Sequence, residues 1–423
     1  MDILIADVIG DVALVLIVAT LFGALARKCG QPAVVGQILA GILLGPTLLG
    51  RLPGHLTGRI FPPAVLPPLT VLAQVAIVLF MFVVGYELDW RALRGRRRAA
   101  PLVAAGALLL PMLLGAGSVL ADRSGFAALG EAHPSRSLVL FMAVALSITA
   151  LPVLAAIVRE RGMAGSTAGT TATIAAGIMD VAAWLVLAAI LVGSVHKAGR
   201  PWPVTLVLII GFAAIMLLGV RPALRWWLGR RRAVLASQLP VALALALGSA
   251  WVTASLGLHP VFGGFLAGLT MPSLDGAPDA DVLRPMEQVG GLLLPLFFVV
   301  TGLSLNVGAL RGSAFVLLGL LCVLASVGKL GPGYLASRVG GLARRDSAAV
   351  AVLVNTRGLT ELIALNVGLS AGLIDQQLFS VLVLMALIMT ALTAPLLTLA
   401  GVGTPPPAPG LRPVSPPASA TET

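Results

Sequence analysis

The sequence predicts an all-α polytopic membrane protein of about thirteen transmembrane helices, built as two inverted six-helix blocks joined by one linking helix. Three observations carry that expectation. Of 423 residues, 58% are hydrophobic and only 11% charged, too little polar surface for a water-soluble chain of this size, so lipid is the solvent the composition fits. The apolar residues fall into thirteen runs, most of them long enough to cross a bilayer. Two of these runs are interrupted by polar residues, glycine or proline at corresponding places in the two blocks.

In chain order the runs lie near 7–26, 33–49, 66–86, 99–120, 136–158, 167–193, 203–220, 234–256, 259–272, 288–308, 312–337, 347–369 and 377–402. The first has no basic n-region and no small-residue cleavage site before or after it, so it is expected to stay as a permanent helix. The seventh, 203–220, stands between the blocks as the linker, and the ninth is short. The run at 377–402 is followed by TPPPAPGLRPVSPPASATET, whose composition predicts a disordered tail over 404–423. Cys29 and Cys322 are too few for a disulfide framework, and the sequence shows no Cys/His zinc cluster.

The net charge of +11 does not point to nucleic acid, because the basic residues sit in short clusters between the apolar runs. With the N-terminus outside, the inner connections carry 19 Lys and Arg and the outer ones 7. That asymmetry predicts an outer N-terminus and a cytoplasmic C-terminus in the cell membrane. The two remaining cations, Lys329 and Arg357, fall inside the runs.

Those two, with Asp180 and Glu361, are the ionisable residues the bilayer has to accommodate. Each costs roughly 2.5–3.5 kcal/mol at mid-bilayer, so each needs a partner or a water-filled cavity. Asp180, halfway along run six, has no opposite charge within a helical turn, and Lys329 of run eleven is its expected partner. A static Asp180–Lys329 bridge pinning two helices is the alternative. Arg357 and Glu361 are four residues apart and can pair along one helix face, either to hold an irregular helix or to take part in transport. Asp7, Asp11, Glu87 and Asp89 read as hydrated interfacial acids. His259, beside Pro260, titrates in a range that suits a proton sensor but sits where an inert interfacial histidine is also expected.

Run five contains ALSITALPVLAAI, interrupted by Ser147, Thr149 and Pro152, and run twelve contains AVLVNTRGLTELIALN, interrupted by Asn355, Thr356 and Gly358. Unwound backbone survives at membrane depth only where it lines a cavity or is buried in protein. Each run is fifth in its block, and the linker makes the second block enter the membrane in the opposite sense. Paired broken helices in inverted halves mark a transporter's midplane site; their carbonyl ends favour a cation, and Asp180 supplies negative charge.

With these features in place the chain resembles the monovalent cation:proton antiporter-2 family, the Kef-like and plant cation/proton exchangers. The resemblance covers about 1–402. It rests on GQPAVVGQILAGILLGPTLLG (30–50), LAQVAIVLFMFVVGYELD (72–89), ALSITALPVLAAIVRERG (145–162), GLHPVFGGFLAGLTMP (257–272), LPLFFVVTGLSL (294–305) and NTRGLTELIALNVGL (355–369). It implies a sodium/proton antiporter-like fold with crossing broken helices over 145–158 and 350–367, and a homodimer. It also implies a scaffold of about 1–98 and 234–308 and an ion-translocating core of about 99–193 and 312–402. In similar proteins the sixth helix carries an acidic or Asn–Asp pair whose second member is the carrier. Asp180 occupies that second place, and Met179 occupies the first, a departure. The family's core lysine corresponds to Lys329. Kef-like relatives often append a nucleotide-sensing domain; lacking a G-x-G-x-x-G fingerprint, this chain is expected to have no nucleotide gating of its own.

The expected activity is therefore exchange of Na+ or K+ for protons by alternating access, with no enzyme chemistry and no cofactor. Asp180, Ser147, Thr149, Asn355 and Thr356 are the candidate cation ligands and Lys329 the charge partner. Pro152, Arg357, Gly358 and Glu361 are the structural and coupling residues. A potassium efflux pathway uncoupled from protons, an organic-anion symporter and a non-transporting membrane sensor or scaffold are the alternatives.

Overall fold

The computed structural model describes residues 2–51, 56–87, 98–127, 135–163, 165–194, 202–231, 238–272, 278–310 and 312–401. The expected disordered tail at 404–423 and the arginine-rich connection at 91–97 lie outside the described residues.

Among the described residues every regular element is helical, as lipid demands of a backbone that must satisfy its own N–H and C=O groups. In the first block, α1 spans Asp2–Lys28, α2 Ala33–Leu44, α3 Leu66–Glu87 and α4 Ala99–Ala121. The fifth helix is broken into α5a, Arg136–Ser147, and α5b, Leu151–Glu160, and α6 runs over Thr167–Ser194. The linker α7 starts as Trp202–Ala214 and passes through a π-helical turn, Ile215–Val220, into Arg221–Arg231. The second block has α8 Leu239–Ser255, α9 Pro260–Thr270, α10 Ala280–Leu303 and α11 Gly312–Val339. It closes with another broken pair, α12a Arg344–Val354 and α12b Leu359–Ser370, and with α13 Gln376–Leu399.

The packing repeats between blocks. α1 packs on α2 as α8 packs on α9; α2 lies on α10 as α9 lies on α3. α4 packs on α5a and α6, and their counterparts α11, α12a and α13 do the same. The pairs α3–α10 and α4–α11 join the blocks at equivalent positions. The pairs α2–α10 and α3–α9 close through glycine. A Cβ on Gly302 would meet the Ile38 carbonyl oxygen at 2.5 Å, and one on Gly264 the Val78 carbonyl oxygen at 2.5 Å. Small residues let backbones approach where lipid supplies no hydrophobic drive.

Several boundaries differ from the sequence expectation, among them those of the linker and α10, while the ninth helix is as short as expected. The linker does not stop at 220: the arginine-rich stretch continues the helix to Arg231. Arginine stems and tryptophan rings suit a membrane interface, so charge there need not end a helix, and the Arg230 guanidinium lies 4.3 Å over the Trp226 ring. Helix α10 starts earlier than 288, because Asp279 caps it by accepting from the Asp281 amide. At eleven residues α9 is only about 16 Å long, short of a full hydrocarbon span of roughly 30 Å.

Candidate functional site

The two breaks lie against each other. The amide of Ala150 donates to the Thr356 carbonyl at 3.0 Å. Thr149 Oγ1 donates to the Val354 carbonyl at 2.8 Å, and Thr360 Oγ1 to the Thr149 carbonyl at 3.2 Å. Backbone groups freed by unwinding in one helix are thereby met by the other. Local sequence explains where each break falls. Ile148 takes an extended conformation (φ −60°, ψ 140°) that ends α5a. Pro152 comes after the break, in the first turn of α5b, where its missing N–H is one the helix leaves unpaired anyway. The interruption therefore precedes the proline instead of being a kink made by it. Gly358 has φ 156°, and a Cβ there would come within 2.8 Å of Val153 Cγ2, so the position requires glycine.

The crossing points the C-terminal ends of α5a and α12a inward, and an exposed helix C-terminus is a row of unpaired carbonyls with partial negative charge. Both buried cations sit on these ends. Lys329 Nζ donates to the Ile148 carbonyl at 2.7 Å, to Thr149 Oγ1 and to the Val354 carbonyl at 3.5 Å. The Arg357 guanidinium donates to the Ala145 carbonyl at 2.8 Å and the Leu146 carbonyl at 2.6 Å, and pairs with Glu361 Oε1 at 2.6 Å. Lys329, Arg357 and Glu361 are all fully buried. The Arg357–Glu361 pair expected from sequence is present, but not along a helix face: Arg357 lies in the unwound break and Glu361 in the first turn of α12b.

The expected direct Asp180–Lys329 bridge is not formed. The lysine spends its donors on helix-end carbonyls and a hydroxyl, which offer it three acceptors at one point. Asp180 is buried, and neither of its carboxylate oxygens has a hydrogen-bond partner. Three further buried oxygens of the two crossing helices are unpartnered: Asn355 Oδ1, Thr356 Oγ1 and Glu361 Oε2. The Arg357 Nε is an unpartnered donor in the same region. Ser147 is not part of this open set, since its hydroxyl donates to the Val144 carbonyl of its own helix at 2.8 Å. Met179 is fully buried with its sulfur 4.0 Å from Thr149 Oγ1.

Two threonines of the crossing escape a reading based on charged residues. Thr360 braces Thr149 across the breaks, and the Thr390 hydroxyl of α13 is shared between the Arg357 carbonyl at 2.6 Å and the Ala386 carbonyl of its own helix at 2.7 Å. Their only signal is a hydroxyl inside an apolar run, which ordinarily folds back on its own helix. A cavity of about 400 Å³ opens where α6 and α12b end, lined by Leu191, Val367, Ser370 and the α8–α9 connection. Leu191 lies about 16 Å along α6 from Asp180, so the cavity stops short of the carboxylate. His259 in that connection caps α9, its Nδ1 accepting from the Val261 amide at 3.5 Å.

The chain has relatives among known proteins. The family described as "Sodium/hydrogen exchanger, transmembrane" matches residues 14–399. Cation/H(+) antiporter 20 of Arabidopsis thaliana is 35% identical over 397 residues, 90% of this chain and 47% of that protein. The chain therefore spans about half the length of that plant relative. Na(+)/H(+) antiporter NhaS4 of Synechocystis sp. is 33% identical over 398 residues, 92% of this chain and 96% of its own length. In three dimensions the sodium proton antiporter MjNhaP1 from Methanocaldococcus jannaschii superposes with a TM-score of 0.65 at 16% identity, covering 94% of this chain and 98% of that one, which shows a shared fold. The chain is a multi-pass membrane protein, and it belongs to the sodium/hydrogen exchanger family.

Proposed function

We propose that this chain exchanges a monovalent cation, Na+ or K+, for protons by alternating access, with Asp180 as the seat that the two ions occupy in turn. The observation that carries this reading is the Asp180 carboxylate itself, buried in α6 beside the crossing with both oxygens unpartnered. A buried acid without a partner is costly unless a ligand compensates for it. Hard monovalent cations prefer oxygen ligands, and the unpartnered Asn355 Oδ1 and Thr356 Oγ1 are of that kind. Thr149 supports the seat from the α5 side by holding Lys329, whereas the Ser147 hydroxyl stays on its own helix.

Lys329 keeps its charge throughout in this reading. Three acceptor oxygens surround Nζ, and an ammonium has three N–H donors where a free amine has two. Exchange is then one cation for one proton and electrically silent. Residues of about 99–193 and 312–402 form the core that rocks against a scaffold of about 1–98 and 234–308. The protein works as a homodimer in the cell membrane, N-terminus outside and C-terminus in the cytoplasm.

The test uses purified protein in liposomes with a trapped pH dye and imposed Na+ or K+ gradients. Wild type should move protons against either or both cations at a rate that an imposed voltage leaves unchanged, and Asp180→Asn should move none. Proton movement by Asp180→Asn would remove Asp180 as the seat. Cation flux without proton movement in the wild type would replace exchange with an uncoupled efflux pathway.

A further inference from the structure

A second site lies on the face of the bundle where α4, α6 and α12a begin. A cleft of about 530 Å³ is walled there by Arg98, Ala99, Thr167, Thr171, Ala343 and Asp346, with the α11–α12a turn between them. Three helix N-termini meet in it: Ala99 opens α4, Thr167 opens α6, and Ala343 is the N-cap of α12a. The first turn of a helix leaves its amides without intrahelical partners and carries partial positive charge. The starts of α4 and α12a have no side-chain cap, as is also true of α2, α8 and α12b. The start of α6 is partly met by Ser166 Oγ, which accepts from the Gly169 amide at 3.0 Å. Arg98 adds a full positive charge at the rim.

An independent observation concerns Thr171. Its neighbours Thr170 and Thr173 donate back to the Ser166 and Gly169 carbonyls at 2.8 Å, the ordinary resting place of a helical threonine hydroxyl. Thr171 does not. It is fully buried, its Oγ1 has no partner, and it lines this cleft. Thr171 precedes Asp180 by nine residues, two and a half helical turns, which puts it on the opposite face of α6 from the proposed ion seat. Asp346 is the one acidic group on the wall, and it opposes a negative ligand.

We propose that this cleft binds a phosphate group, held by the uncapped amides of α4 and α12a, the Arg98 guanidinium and the Thr171 hydroxyl. Converging N–H donors at helix N-termini, an arginine fork and a hydroxyl are the groups that a tetrahedral oxyanion recruits. The phosphate group comes from a solute of the aqueous phase or from the headgroup of an anionic lipid. Either source ties the starts of three helices together, so occupancy raises stability by mass action. The proposal does not depend on the transport reading, and its readout is binding.

The experiment places the full chain in nanodiscs of neutral phosphatidylcholine and titrates inorganic phosphate at constant ionic strength against chloride, following the unfolding temperature and the heat of binding. Phosphate should give a saturable stabilisation that chloride does not. Thr171→Val, close to isosteric, and Arg98→Gln should each weaken it about tenfold, the loss of one hydrogen bond to a charged ligand. Asp346→Asn should tighten it several-fold. That change of opposite sign keeps the test decisive should Thr171→Val fold poorly. If the lipid is the source, nanodiscs containing phosphatidylglycerol will stabilise the wild type without added phosphate and the same variants will lose that gain. Absence of a saturable response in both kinds of nanodisc, or a response that Thr171→Val, Arg98→Gln and Asp346→Asn leave unchanged, overturns the proposal.

Discussion

Helices α2–α10 and α3–α9 meet through glycine, whereas α5 and α12 meet through charge, and the two kinds of junction do different things with the cost of being in lipid. In the glycine pairs the backbones approach until Cβ atoms no longer fit, and the helices stay intact across the contact. At the crossing the helices are unwound, carbonyl ends point inward, and Lys329 and Arg357 satisfy them. Among the described residues, the first kind of junction leaves an isolated amide oxygen, Gln74 Oε1 of α3, without a partner, and no cluster of them. The second is nearly balanced and leaves a few oxygens over, those of Asp180, Asn355, Thr356 and Glu361. A broken helix pair is thus held by fixed cations so that a separate acid can remain free.

That contrast ranks substitutions, read as reversible unfolding of the purified protein. Arg357→Met should be the most damaging, at about 3–5 kcal/mol, because it strands Glu361 and two helix-end carbonyls at once. Removing both partners in Arg357→Met/Glu361→Leu should recover part of the loss; a double variant no better than the single one would show that the carbonyls, not the carboxylate, need the cation. Gly268→Ala should cost about 1–3 kcal/mol, since the new methyl runs into the Phe82 carbonyl of α3, backbone that cannot step aside. A neutral result there would mean that the glycine pairs have slack, and the contrast drawn above would weaken. Thr390→Val should cost about 1 kcal/mol, one hydrogen bond to the Arg357 carbonyl.

Much of this architecture is legible in the letters, for a physical reason: lipid makes every polar residue in a span conspicuous. The thirteen runs, both breaks and the Arg357–Glu361 pair follow from local spacing, and the order of motifs from GQPAVVGQILAGILLG to NTRGLTELIALN carries the family. What escaped is lateral. Lys329 finds its acceptors on Ile148 and Val354, residues distant in sequence, and no periodicity says that a lysine will choose helix-end carbonyls over the nearest acid. Thr360 and Thr390 were invisible because a hydroxyl in an apolar run normally bonds its own helix, as Ser147 does. The extension of α7 past Val220 was missed because arginine beside tryptophan reads as a connection although it also suits an interfacial helix.

Asp180→Asn is the smallest expected change in stability and the sharpest test of the comparison. If the crossing holds itself together with Lys329, Arg357 and Glu361, the Asp180 carboxylate contributes no hydrogen bond to the fold, and replacing it with an amide of the same shape removes none. The unfolding free energy should therefore stay the same or rise, even as exchange disappears. A loss approaching that of Arg357→Met would mean instead that the carboxylate does pair with Lys329 in the membrane, making Asp180 part of the frame. Unchanged stability with lost exchange separates the group that works from the groups that hold it.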